Sequence, residues 1–186
     1  MDKKKSVMNL PNRLTLMRIA LVPVYLLILW FAQNSMRGAV AALIVFAAAS
    51  LTDLLDGKIA RKYNLVTNFG KFMDPIADKL LTHTGFIMML ALGRISVISC
   101  IVFIAREFVV SGLRLVAVEQ QVVIAAGMSG KVKTVLQMIL IMLLTLNLPY
   151  APYLTVTRVV EASAVIMTLY SMVEYLLRNR SVLKEA

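Results

Sequence analysis

Residues 53–78 read DLLDGKIARKYNLVTNFGKFMDPIAD and hold four of the five aspartates of the 186-residue chain. These are Asp53, Asp56, Asp74 and Asp78, and the sequence on either side of them is apolar enough to cross a membrane. Charged groups are expensive to desolvate in such surroundings, so acidic residues inside apolar spans are usually functional. The stretch therefore predicts a membrane protein with a site built on carboxylates.

The spacing of these residues assigns them to one face of each of two helices, because an α-helix has about 3.6 residues per turn. The first face would carry Asp53, Asp56, Gly57, Ala60 and Arg61, and the second would carry Gly70, Asp74 and Asp78. Four converging carboxylates repel one another unless cations compensate them. Oxygen ligands favour hard divalent ions, so the pattern predicts a site for about two Mg²⁺ or Mn²⁺ ions.

The composition predicts an all-α integral membrane protein. Hydrophobic residues make up 60% of the chain, and a spanning helix needs about 20 of them in a row. Apolar runs lie near residues 19–32, 39–60, 72–92, 95–118, 132–148 and 154–177. We therefore predict about six transmembrane helices in a single domain of residues 1–186, with a bundle at 19–177. Residues 1–18 should form a short interfacial helix. The first span is short and is expected to start nearer Leu14, with Arg13 and Arg18 reaching the membrane surface.

The net charge of +10 is spread along the predicted membrane boundaries. Because Lys and Arg accumulate in cytoplasmic loops, the pattern predicts a multi-pass protein of the cell membrane with both termini and the acidic cluster on the cytoplasmic side. Arg178 and Arg180 fall on the cytoplasmic side, at the C-terminal boundary, whereas Arg37 and Arg94 mark the opposite side. Nucleic-acid binding is disfavoured because no soluble module gathers the cations into a patch.

Taken as a pattern, residues 53–78 give D-x-x-D-G-x-x-A-R-x8-G-x3-D-x3-D. This resembles the signature of the CDP-alcohol phosphotransferase family at every specified position. The resemblance implies a six-helix membrane enzyme, usually a homodimer. Such an enzyme uses two divalent cations to transfer a substituted phosphate from a CDP-linked donor to an alcohol.

The resemblance also implies a role for each residue of the motif. Asp53, Asp56 and Asp74 would bind the metal ions, and Asp78 would be the general base and share in metal binding. The CDP group would lie against Asp53, Gly57, Ala60, Arg61 and Gly70. Without the aspartates, the small residues would more simply be explained by close helix packing.

A second group of charges bears on the acceptor alcohol. Arg106 and Arg114 fall on similar faces of the predicted fourth helix, and Lys131 and Lys133 follow at the start of the fifth. Cations near bound metal ions would be repelled by them unless the cations bind a separate anion. A phosphate group on the acceptor would be such an anion. An internal ion pair between Arg106 and Glu107, with lysines that only mark the membrane boundary, is the structural alternative.

Segments 9–15, 105–107, 111–114 and 130–134 resemble those of family members that use CDP-diacylglycerol and sn-glycerol 3-phosphate. The resemblance implies that Arg106, Arg114, Lys131 and Lys133 bind the acceptor phosphate, and that the lipid donor enters from the surrounding membrane lipids. Inositol phosphate or an unphosphorylated alcohol remains an alternative acceptor. From another class, a metal-ion transporter could also place carboxylates within helices.

The sequence also predicts one helix cap and one ion pair. Thr67 or Asn68 is expected to cap the N-terminus of the third helix. Arg158 and Glu161 are expected to pair with each other, because they are three residues apart in the sixth helix.

Overall fold

The computed structural model describes residues 9–32, 34–63, 67–122, 124–125, 127–180 and 182, without the side chains at 53–58, 60–62, 68 and 71. Every regular element in this part of the chain is an α-helix. The six helices are α1 (Leu10–Ala32), α2 (Met36–Lys62), α3 (Asn68–Ala91), α4 (Val97–Glu119), α5 (Met128–Leu146) and α6 (Ala151–Arg178). The prediction of an all-α protein with about six helices is confirmed.

Helices α1, α5 and α6 are each long and apolar enough to cross a membrane, and α2 contributes a shorter apolar stretch at Met36–Thr52. The rest of α2 contains the first half of the acidic motif, α3 contains the second half, and α4 contains Arg106, Glu107 and Arg114. The charges that lower the hydropathy of these three helices are thus largely the candidate site residues.

Contacts divide the chain into two compact units, Met1–Met88 and Met89–Ala186. In the first unit α1 packs against α2. The Tyr25 and Phe46 rings lie 5.4 Å apart in the core of this packing, and both side chains are fully buried. Ala42 and Ala49 are also fully buried, and small side chains of this kind let two helices approach closely.

The start of α1 differs from the prediction. Residues 10–18 are continuous with the first long helix and do not form a separate one, and the Asn9 carboxamide accepts a hydrogen bond from the Asn12 N–H at 3.0 Å as an N-cap would. Arg13 is exposed, but Arg18 is fully buried. The prediction that Arg18 reaches the membrane surface is therefore wrong. It failed because Arg18 lies on the same face as the buried residues Thr15, Val22 and Tyr25.

In the second unit α6 packs against both α4 and α5. Val110, Leu113 and Ala117 of α4 form an apolar core with Tyr175 near the end of α6. The Gln137 amide of α5 donates a hydrogen bond to the Thr168 hydroxyl of α6 at 3.1 Å. This side of α6 is therefore fixed by both apolar and polar contacts.

Glu161 contacts the N-terminus of α4. Its Oε1 accepts hydrogen bonds from the Ser99 hydroxyl at 2.6 Å and from the Ser96 N–H at 3.3 Å. The expected pair with Arg158 is wrong, because donors at the N-terminus of a neighbouring helix satisfy the carboxylate instead.

Candidate active site

The acidic motif occupies two consecutive helices of the first unit, as predicted. Residues 53–61 lie in the last turns of α2, and residues 70–78 lie in the first turns of α3. The side chains of Asp53, Asp56, Ala60 and Arg61, together with Gly57, lie outside the described residues. The structure therefore describes the α3 half of the motif.

Asp74 and Asp78 are separated by one helical turn, so both project from the same side of α3. Both are half-buried. The Thr15 hydroxyl of α1 donates a hydrogen bond to Asp74 Oδ1 at 2.8 Å, although 59 positions separate the two residues. Sequence reasoning missed Thr15, because nothing in the local pattern links it to the motif.

Gly70, the third described member of the motif, is buried against α1. A Cβ atom at this position would lie 2.8 Å from Asn12 Oδ1, so a side chain here would require Asn12 to shift. The Thr67 hydroxyl accepts the Gly70 N–H at 3.0 Å and also accepts a hydrogen bond from the Asn12 amide at 2.9 Å. Thr67 is thus the predicted cap of α3, and the close approach of Asn12 explains a glycine at position 70.

Half-buried carboxylates on one helical face are suitable ligands for a hard divalent cation. Asp74 and Asp78 fit this chemistry. Asp74 also accepts the hydrogen bond from Thr15, and metal-binding carboxylates are commonly hydrogen-bonded in this way. Among the described side chains, no group of three or more His, Cys, Asp or Glu residues lies together. Asp53 and Asp56, the other half of the predicted set, lie outside that description.

The second unit contains a cavity of about 160 Å³. Its charged lining consists of three arginines, Arg106, Arg114 and Arg178, and one glutamate, Glu174. Ser129, Ser171 and Tyr175 contribute hydroxyl groups to the same lining. The excess of positive charge and the several hydroxyls make this cavity suitable for a small anion.

Arg106 is 6% exposed and is held on two sides. Its Nη1 lies 2.8 Å from Glu107 Oε1, and its Nη2 donates to the Ser171 hydroxyl at 3.0 Å. Lys133, also buried, forms an ion pair with the same Glu107 oxygen. The internal pair between Arg106 and Glu107 is therefore present, and Lys133 joins it from α5.

Arg114 lies against the ring of Tyr175. Its Nε donates to the Tyr175 hydroxyl at 3.1 Å, and its Cζ is 5.6 Å from the ring centre. Lys131 is not part of the cavity lining. The cavity thus brings together Arg106 and Arg114 of the four predicted acceptor ligands.

Arg178 was missed as a cavity residue. The sequence assigned it to the basic C-terminal boundary, but it lines the cavity and forms an ion pair with Glu174 at 2.6 Å. Its position four residues after Glu174 was the available signal, since such pairs share a helical face.

The described part of the chain is all-helical, and its long apolar helices are those of a membrane protein. The chain belongs to the CDP-alcohol phosphatidyltransferase family, and the sequence match to this family covers residues 8–171. It is therefore a member of a transferase family, as the motif predicted.

Curated relatives cover most of the chain. A Bacillus subtilis (strain 168) protein named CDP-diacylglycerol–glycerol-3-phosphate 3-phosphatidyltransferase is 43% identical over 95% of this chain and 97% of its own length. A Rickettsia bellii protein of the same name is 48% identical over 75% of this chain and 76% of its own. A probable phosphatidylglycerophosphate synthase of Mycobacterium tuberculosis H37Rv is 40% identical over 92% of this chain and 82% of its own.

Proposed function

We propose that this protein transfers the phosphatidyl group of CDP-diacylglycerol to sn-glycerol 3-phosphate, giving phosphatidylglycerophosphate and CMP. A hydroxyl oxygen of glycerol 3-phosphate attacks the phosphorus that carries diacylglycerol. The new P–O bond replaces the bond from that phosphorus to CMP, and Asp78 takes the hydroxyl proton. The reaction named for the curated relatives supports this proposal.

The first unit would hold the nucleotide. Asp53, Asp56, Asp74 and Asp78 would bind two divalent cations, Mg²⁺ or Mn²⁺, which would offset the charge of the diphosphate and of the departing CMP. Arg61 would bind a phosphate oxygen. The small residues of α2 would leave space for the nucleotide, whereas Gly70 makes space for Asn12 of the same chain.

The arginine-lined cavity of the second unit is the observation that carries the choice of a phosphorylated acceptor. Three arginines line it, and Arg106 Nε is a buried donor with no hydrogen-bond partner among the described residues. Such a donor is available to an anion or a water molecule. We assign the acceptor phosphate to Arg106 and Arg114, with Arg178 as an additional cation. Lys133 acts through Glu107, and Lys131 is left without a role in this cavity.

The membrane location follows from the helices, and the remaining details are part of the proposal. The acidic motif would face the cytoplasm, where CDP-linked lipid head groups and glycerol 3-phosphate are accessible. The acyl chains of the donor would stay in the bilayer and enter between helices. The resemblance to the family supports a homodimer.

The test is an acceptor competition with purified protein in lipid nanodiscs. CDP-diacylglycerol is offered with equal amounts of sn-glycerol 3-phosphate, inositol 1-phosphate and glycerol, and the lipid products are identified by mass spectrometry. We expect phosphatidylglycerophosphate with stoichiometric CMP, loss of activity with EDTA and its return with excess Mg²⁺ or Mn²⁺. A preference for glycerol or inositol phosphate would refute the acceptor assignment, and activity indifferent to EDTA would refute the metal site.

A further inference from the structure

We propose that Thr15 is a positioning residue for Asp74: its hydroxyl holds the carboxylate in the orientation required to bind a divalent cation. The inference rests on the proposed metal site. It adds a residue of α1, outside the acidic motif, to the structure that supports that site.

The hydrogen bond between Thr15 and Asp74 is well placed for this task. Thr15 is 1% exposed, so water does not compete for its hydroxyl. Among the described residues, the hydroxyl proton has Asp74 Oδ1 at 2.8 Å and the Pro11 carbonyl at 3.1 Å as acceptors within reach. The carboxylate is the nearer acceptor and carries the charge, and hydrogen bonds to charged groups are roughly twice as strong as neutral ones.

Asp74 retains the capacity to bind a cation while it accepts this bond. A carboxylate offers about four acceptor positions on its two oxygens, and Thr15 occupies one of them on Oδ1. A ligand fixed in advance loses less rotational freedom when the cation binds.

The surrounding contacts keep α1 at the distance that this hydrogen bond needs. One turn before Thr15, the buried Asn12 amide donates to the Thr67 hydroxyl at 2.9 Å, and Asn12 Oδ1 fills the space beside Gly70. Asn12 and Thr15 therefore form two consecutive polar contacts from one face of α1 to the first turns of α3. The first contact sets the approach of the helices, and the second orients Asp74.

A merely structural threonine would serve packing with its methyl group, whereas a positioning residue needs the hydroxyl. Thr15→Val keeps the shape and removes the donor, and Thr15→Ser keeps the donor and removes the methyl group. Thr157→Val is the matched control, because Thr157 is also buried within a helix and its hydroxyl donates to the Tyr153 carbonyl of its own helix at 2.9 Å.

The experiment is a Mn²⁺ titration of purified full-length protein without substrate, followed by the electron paramagnetic resonance signal of free Mn²⁺. Loss of an outer partner costs about 10- to 100-fold in metal affinity, so we expect Thr15→Val to raise the Kd for Mn²⁺ about tenfold. Thr15→Ser should stay within about threefold of wild type, and so should Thr157→Val. The Mg²⁺ concentration that gives half-maximal activity should shift in the same direction.

The variant Asp74→Asn separates a failure of the Thr15 positioning role from a failure of the metal site itself. If Asp74→Asn weakens Mn²⁺ binding and Thr15→Val does not, the positioning role is wrong and the metal site stands. If Asp74→Asn leaves Mn²⁺ binding unchanged, the proposed metal site is wrong. Should Thr15→Val fail to fold, Thr15→Ser and Thr15→Ala take its place. Equal Mn²⁺ affinities in these two variants would overturn the inference.

Discussion

Asp78 is proposed to act as the general base, and this role can be tested separately from CDP binding. Removal of a general base typically lowers the rate by about 10²- to 10⁴-fold. Asp78→Asn should therefore lower kcat by that factor and leave the affinity for CDP within a few-fold of wild type. CMP release measures the rate, and isothermal titration of the metal-loaded protein with CDP measures the affinity.

Asp56→Ala provides the comparison. Asp56 is proposed to bind metal, so this variant should weaken both Mn²⁺ and CDP binding. If Asp78→Asn lost CDP binding to the same extent, metal binding alone would account for its loss of rate, and the role of Asp78 as the general base would be wrong.

Arg114 and Lys131 were both predicted from the sequence to bind the acceptor phosphate, and the structure distinguishes them. Both are exposed, but Arg114 lines the cavity beside Tyr175 and Lys131 does not. Arg114→Ala should raise the KM for glycerol 3-phosphate about tenfold, the value of one charge-assisted hydrogen bond, with the KM for CDP-diacylglycerol unchanged. Lys131→Ala should change neither. The opposite pattern in initial-rate measurements would return Lys131 to the site and exclude Arg114.

Between elements, Glu107 joins α4 to α5. It lies between Arg106 and Lys133 with all three side chains largely buried. Glu107→Gln would leave two buried cations without their counter-charge, and breaking a buried pair in this way costs about 3–5 kcal/mol. We expect a clear fall in the thermal unfolding temperature in detergent. The double variant Glu107→Gln with Lys133→Met should regain part of that loss. A double variant less stable than the single one would contradict this account.

The helices themselves were largely predictable, because their apolar runs and the polar segments between them are local features. The start of α1 at Leu10 was less predictable, because residues 10–18 also make polar contacts with distant residues. Asn12 forms a hydrogen bond with Thr67, and Thr15 forms one with Asp74. The partners are 55 and 59 positions apart in the sequence, so helical periodicity cannot predict these contacts.

The candidate site likewise has residues that the sequence predicted and residues that it did not. The motif in α2 and α3 was predictable because its spacing is that of a helix, and the internal pair between Arg106 and Glu107 was foreseen as the structural alternative. Arg178 was assigned to the membrane boundary because its proximity to the α4 arginines depends on how α6 packs in the second unit. Tertiary packing therefore decided which cations line the cavity.

For the whole molecule, the distribution of charge predicts the direction in which the chain crosses the membrane. Both termini inside and six crossings would place the α1–α2 and α5–α6 connections outside, and the α4–α5 connection in the cytoplasm. The active site depends on this orientation, because the acidic motif surrounds the α2–α3 connection and would then face the cytoplasm.

Cysteine labelling in intact cells tests this orientation. The chain has a single cysteine, the buried Cys100, so Cys100→Ser gives a background without thiols. Asn34 and Tyr150 are exposed in the two connections expected outside, and Val122 is exposed in one expected inside. A membrane-impermeant maleimide should label Asn34→Cys and Tyr150→Cys in intact cells, but Val122→Cys only after permeabilisation. The reverse result would place the acidic motif on the outer face, away from cytoplasmic glycerol 3-phosphate, and so would contradict the proposed reaction as well as the topology.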